Sequence, residues 1–153
     1  MPVKDTPQKH YPMTGNLIYI YVHTVWTTKH REPCLHKSFR YKLFEHIRNH
    51  AHNKNIQLEI INGVEDHLHC LFKMKSTQTV AEIIKVLKGE SSKWINESGF
   101  VNNHFQWQDG YGVFSVSPQN VGKVKRYIFN QENHHKVKNI DDELLEMINL
   151  LAE

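Results

Sequence analysis

The chain has 153 residues, 39% of them apolar and 23% charged, which bounds it to about one domain with a real core and excludes a disordered acidic chain. Its formal charge of +3 permits a polyanionic partner without requiring one. Two cysteines, Cys34 and Cys70, make no disulfide framework, whereas 12 histidines are unusual enough that their spacing must be read.

Residues 1–15 carry Pro2, Pro7 and Pro12 among polar neighbours and read as a tail, without the apolar stretch of a signal peptide. Residues 17–26 (LIYIYVHTVW) are β-branched and aromatic and predict a strand, too short and too polar at His23 and Thr24 to span a membrane. A cytoplasmic protein without a membrane partner is expected. Residues 27–33 form a basic loop. Phe39, Leu43, Phe44, Ile47 and Ala51 recur at helical spacing over 37–53. Asn55 breaks that helix, and strands follow over 56–62 and 66–73, joined at Gly63 and antiparallel to one another.

Thr79 with Glu82 three residues later predicts a capped helix start. Val80, Ile83, Ile84, Leu87, Trp94 and Ile95 supply its apolar stripe, and Gly99 ends it. A fourth strand is expected over 111–117, stopped at Ser117-Pro118. A helix over 120–135 and a last amphipathic helix over 141–151, with Leu144, Leu145, Ile148 and Leu151 as its stripe, complete the chain. The order β-α-β-β-α-β is the α+β, ferredoxin-like (split β-α-β) arrangement: an antiparallel sheet with two helices on one face. The other face is free for function, and the added C-terminal helices are what can cover it.

On the third strand, alternation sends Leu68, Cys70 and Phe72 to the core and His67 and His69 together to the free face. Their alpha carbons lie roughly 7 Å apart, close enough to share a metal ion. The motif is weak by itself, because this composition yields about one His-x-His triplet by chance. The second triplet, His50-Ala51-His52, falls on a helix, where its side chains diverge. In VKRYIFNQENHH, a helix puts Lys123, Tyr127 and Gln131 on one side with His134 and His135 straddling it, while Val124 and Ile128 turn to packing.

A strand His-apolar-His pair followed, after a helix and a strand, by a helical Tyr-x3-Gln resembles the single-tyrosine HUH transposases. These are the small transposases of insertion sequences that move as single-stranded DNA, and their repeat-associated tyrosine transposase relatives. The segments VWTTKHREPCL, VEDHLHCLF, LKGESSKW, WQDGYGVFSVS and YIFNQENHH carry the resemblance across most of 16–135. It implies a polar tail over 1–15, a catalytic domain over 16–135 with a tyrosine-bearing helix added to the sheet, and a C-terminal helix over 136–153 outside the strong match.

The resemblance further implies metal-dependent cleavage and rejoining of single-stranded DNA next to hairpins. Tyr127 would be the nucleophile, forming a 5′-phosphotyrosine whose ester retains the bond energy for rejoining. His67, His69 and Gln131 would hold a divalent metal, and the amide oxygen suits Mg²⁺ or Mn²⁺. A phenol needs help to ionise at neutral pH, from the metal or from Lys123. Lys29, Arg31, Lys85, Lys88, Lys93 and Lys123 are the candidate DNA contacts, with Ser91 and Ser92 as phosphate donors and Trp26 and Trp107 as bases' stacking partners; Trp94 falls on the apolar stripe. His134, His135, Asp66 and Glu65 are candidate supports around the histidines. A homodimer with active sites shared between subunits is the expected working unit.

The competing expectation is a non-catalytic, ferredoxin-like module for single-stranded nucleic acid, with Tyr19 and Tyr21 as its aromatics. A structural zinc site is disfavoured, because Cys34 and Cys70 have no paired spacing.

Overall fold

A computed structural model of the chain describes residues 15–151, so the expected tail lies outside the described residues apart from Gly15. Four strands, β1 (Ile20–Thr27), β2 (Gln57–Gly63), β3 (His67–Met74) and β4 (Gly112–Val116), form one sheet in the order β2-β3-β1-β4. All neighbouring pairs are antiparallel. Helix α1 (Lys37–Asn53) joins β1 to β2, and α2 (Val80–Ser98) joins β3 to β4. This is the expected ferredoxin-like topology. Among the described residues, no helix is long and apolar enough to cross a membrane.

Local chemistry explains the element ends. The Thr79 side chain accepts a hydrogen bond from the Glu82 N–H, so one orphan donor of α2 is satisfied. Gly99 closes α2 in the left-handed region at φ 73°, which costs a glycine little. Gly63 has another reason: a Cβ there would lie 2.3 Å from the His67 carbonyl oxygen, so glycine lets β2 approach β3 beside that histidine. Phe39, Leu43, Phe44 and Ile47 of α1 and Ile83, Ile84, Leu87 and Ile95 of α2 pack with Val22, Trp26, Leu68, Cys70 and Phe72 into one core. Trp26 and Trp107 belong to it, their rings edge to face, and Trp107 Nε1 donates to Ser91 Oγ. Neither ring is presented for base stacking, and Ser91 is buried, which corrects the expectation for all three.

The second face of the sheet is not free. Helices α3 (Val121–Phe129), α4 (Gln131–His134) and α5 (Ile140–Leu151) cover it. Consequently β1 is buried continuously from Val22 to Trp26, and β3 from His67 to Phe72. The single helix expected over 120–135 is two, broken at Asn130. Asn62 of β2 caps the break: its side-chain amide donates to the carbonyls of Ile128 (3.0 Å) and Phe129 (2.9 Å), the last of α3.

Helix α5 also differs from expectation. It turns Ile140, Glu143, Leu144 and Met147 inward and leaves Leu145 and Ile148 exposed, at 57% and 54%. The inward face is rotated by about 80° from the stripe that apolar spacing marks. Arg31 contributes to that rotation by a two-pronged pair with Asp141, in the first turn of α5.

Candidate active site

His67 and His69 stand where alternation placed them, on the face opposite Leu68, Cys70 and Phe72. Because α3–α5 cover that face, both are buried, 1% and 0% exposed. Each is oriented through its Nδ1. Asp66 Oδ1 lies 2.6 Å from His67 Nδ1, and His23 Nε2 lies 2.8 Å from His69 Nδ1. His23 reaches His69 from β1 as a diagonal neighbour, since it pairs with Leu71 and His69 pairs with Val25. Both Nε2 atoms are thereby aimed at one place, where they are buried without a hydrogen-bond partner. Metal-ligating histidines are commonly held this way, by a partner on the other ring nitrogen.

Glu143 of α5 faces them. Its Oε2 is 3.5 Å from His69 Nε2, 3.9 Å from His67 Nε2 and 3.0 Å from His135 Nε2. One donor atom from each of His67, His69, His135 and Glu143 lies within 4.8 Å of the others, a group able to hold a metal ion. Gln131 is fully buried, and its Oε1 is 3.1 Å from His135 Nε2. Asp66 thus supports His67 as expected of it, and His135 points inward. Glu65 instead lies 3.7 Å from Arg40.

Tyr127 is half-buried, its ring 5.8 Å from that of His69 and 6.0 Å from that of His23. His134 lies against its other side at 4.9 Å. A cavity of about 440 Å³ opens beside it, lined by Phe114 and Val116 of β4, Lys123 and Val124 of α3, and Met147 of α5. Val124 therefore faces the cavity, while Ile128 alone packs fully.

The electrostatics follow from burial. Burial holds His69 neutral, pushed down to about 4, and His23, down to about 3. Burial, and then the Glu143 carboxylate, raise the Tyr127 phenol above its ordinary value. Burial also opposes ionisation of Glu143, but the nearby His135 and His69 rings outweigh it and hold the carboxyl below its usual range. Imidazoles thus surround one carboxylate, and the site makes the phenol harder to ionise, not easier.

The expected DNA contacts divide. Lys85, Lys93 and Lys123 are exposed; Lys93 lies 4.0 Å from Glu97. Lys29 donates to Gln106, Arg31 is paired with Asp141, and Lys88 donates to the carbonyls of Gln108 and Gly110, which pins the approach to β4. Ser92 donates to the Gly89 carbonyl. Trp94 stacks on His46 at 4.8 Å and packs against the core. Sequence reasoning missed Glu143 and His23. Alternation along β1 puts His23 opposite Val22 and Thr24, a signal for its face; nothing local signals Glu143.

The family model "Transposase IS200 like" matches residues 16–131. The ISDra2 transposase TnpA of Deinococcus radiodurans is 23% identical over 126 residues, 78% of this chain and 89% of that one. Among solved structures, a protein of Deinococcus radiodurans R1 described as a transposase superposes with a TM-score of 0.62 at 22% identity, covering 80% of this chain and 98% of that one. A REP-associated tyrosine transposase bound to a REP hairpin superposes with a TM-score of 0.58 at 13% identity, covering 82% and 73%. The structures share the fold, and the match across 16–131 places this chain in the IS200-like transposase family, enzymes of DNA cleavage and strand transfer.

Proposed function

We propose that the protein cleaves and rejoins single-stranded DNA beside hairpins through a 5′-phosphotyrosine on Tyr127, with a divalent metal, Mg²⁺ or Mn²⁺, held by His67, His69 and Gln131. One observation carries the reading: the two orphaned Nε2 atoms of His67 and His69 sit beside the only tyrosine of α3. Imidazole nitrogens buried without partners cost free energy, and a cation relieves that cost. When bound, the metal would polarise the scissile phosphate.

The chain's own groups do the rest. Tyr127 Oη attacks phosphorus, its proton is lost, and the bond to the 3′ oxygen breaks, which leaves a 3′-hydroxyl. Attack by another 3′-hydroxyl reverses the step without ATP. Asp66 and His23 hold the histidine rings in place. A hairpin partner is supported by the relative bound to one. Lys123, Lys85, Lys93 and Lys29 supply exposed positive charge for phosphates.

The nucleic-acid-binding module without chemistry would need aromatics on an open central sheet face. That face is covered, and Tyr19 and Tyr21 lie at the start of β1 with Lys73 over their rings. The deciding experiment incubates labelled hairpin DNA with the protein and Mn²⁺ and looks for a denaturation-resistant adduct. A binding module gives none.

The working unit tests separately. Sharing sites between subunits, as the resemblance implies, requires α3 to leave its own sheet about the turn Pro118–Asn120. A site complete in one chain requires no such movement, since Tyr127 already faces its own histidines. We expect a mixture of His67→Ala, His69→Ala protein with Tyr127→Phe protein to regain adduct in a shared-site dimer. Verified heterodimers without adduct would leave the chemistry standing and confine it to one chain.

A further inference from the structure

We propose that Glu143 is itself a ligand of the metal at His67 and His69, so that one ion fastens α5 to the sheet; this rests on the metal reading above. Three independent observations converge on it.

The first is charge. Glu143 is 2% exposed, and neither of its oxygens makes a hydrogen bond of good geometry. No Lys or Arg lies within ion-pair distance of it among the described residues; its neighbours at that range are His67, His69 and His135. A buried carboxylate without a cation is costly. An imidazole is a cation only when protonated, whereas a divalent ion is one at every pH.

The second is aim. His67 Nε2 and His69 Nε2 are held toward the carboxylate from behind by Asp66 and His23. Their separations from Oε2, 3.9 and 3.5 Å, are those of atoms that converge on one point without bonding one another. Ligand atoms sharing one ion at bonds of about 2.1 Å stand roughly 3–4 Å apart. His135 then serves as the positioning group, with Nε2 between Glu143 Oε2 (3.0 Å) and Gln131 Oε1 (3.1 Å).

The third is the rotation of α5. A helix docked by hydrophobic contact alone would bury Leu145 and Ile148. This one exposes both and buries a carboxylate instead. The Arg31–Asp141 pair holds one end of that face, and an attraction at Glu143 accounts for burying the carboxylate itself. Two imidazoles beside the Glu143 carboxylate and the Gln131 amide also favour a borderline ion such as Mn²⁺ over Mg²⁺, which prefers an all-oxygen shell.

The test titrates Mn²⁺ into the full chain without DNA, by calorimetry, and follows hydrogen exchange of residues 140–151 with Mn²⁺ and with chelator. We expect wild-type protein to bind, and its α5 amides to slow at least several-fold with the ion. Glu143→Gln should bind at least ten-fold more weakly and lose the metal-dependent slowing, while Glu143→Asp recovers part of both. Comparing metal with chelator inside each variant cancels any loss of fold stability common to the two conditions. Wild-type affinity in Glu143→Gln, with binding lost in His67→Ala, His69→Ala protein, would overturn the ligand role and leave the metal reading intact. Tighter binding in Glu143→Gln would make the carboxylate a competitor of the ion and also overturn it. Wild-type affinity in the double histidine variant would remove the metal reading, and the inference with it.

Discussion

Neighbouring residues of β3 meet opposite chemistry at equal burial. Leu68, Cys70 and Phe72 enter the core under α1 and α2, while His67 and His69 enter a polar interior under α3–α5. On the first side burial is its own compensation, since apolar surface leaves water and nothing needs a partner. On the second, each buried group needs a donor, an acceptor or a charge, and the supply falls short. Eight buried polar side-chain atoms among the described residues lack a hydrogen-bond partner; His67, His69, Gln131 and Glu143 contribute five of them. A shortfall concentrated at one place, beside a tyrosine, marks where a ligand belongs; scattered evenly, it would mark only imperfect packing.

The sharpest break of this comparison is Tyr127→Phe. It removes one oxygen on the polar side and keeps the ring against His69 and His23. We expect hairpin binding to persist and the covalent adduct on a denaturing gel to vanish. An adduct in that variant would take the nucleophile's role from Tyr127.

The counterpart on the apolar side is Phe72→Ala. Phe72 is fully buried in the core, so the cavity should cost about 3–5 kcal/mol in urea unfolding. Metal should not repair it, because nothing on that side binds an ion. The stability difference between Phe72→Ala and wild type is therefore expected to be the same with Mn²⁺ as with chelator, since the ion stabilises both folded chains alike.

Gly63→Ala tests the seam between the sides. The added Cβ meets the His67 carbonyl oxygen and Leu68 Cα, both backbone atoms, so β2 must shift off β3. We expect a loss of about 1–3 kcal/mol together with weaker Mn²⁺ binding, read by unfolding and titration on one sample. Lost stability with unchanged metal binding would show that the histidine carbonyl can move without its ring.

The smallest effect belongs to Thr79→Ala, at the start of α2 and far from the polar side. Loss of the cap should cost about 1 kcal/mol and leave adduct yield unchanged. A change in yield would mean that the two sides are coupled through the sheet.

Much of this architecture was legible from local patterns. Period-2 alternation put His67 and His69 opposite Leu68 and Phe72, and the spacing of Phe39, Leu43 and Ile47 marked both α1 and its buried face. Thr79, Glu82 and Gly99 bounded α2, because capping depends on residues within one turn. The tyrosine segment was legible as helix but not as a broken one, since the carbonyls at the break are capped by Asn62, on a strand more than sixty residues earlier. Trp26 and Trp107 show the same limit: an aromatic that suits a stacking platform also suits a core, and only their mutual contact decides.

What the sequence by itself determined is therefore the set of elements, their order, and the face each strand residue takes, because the backbone imposes those periods within a few residues. What the tertiary structure decided is who shares the polar interior. His23, His69, His135 and Glu143 span 120 residues of chain, and α5's own apolar spacing argues for a different face. The rotation of a docked helix is set by the sum of its contacts with distant residues, here Arg31 on Asp141 and three imidazoles on Glu143. A buried charge outweighs two exposed leucine-sized side chains in that sum, so the helix follows its carboxylate.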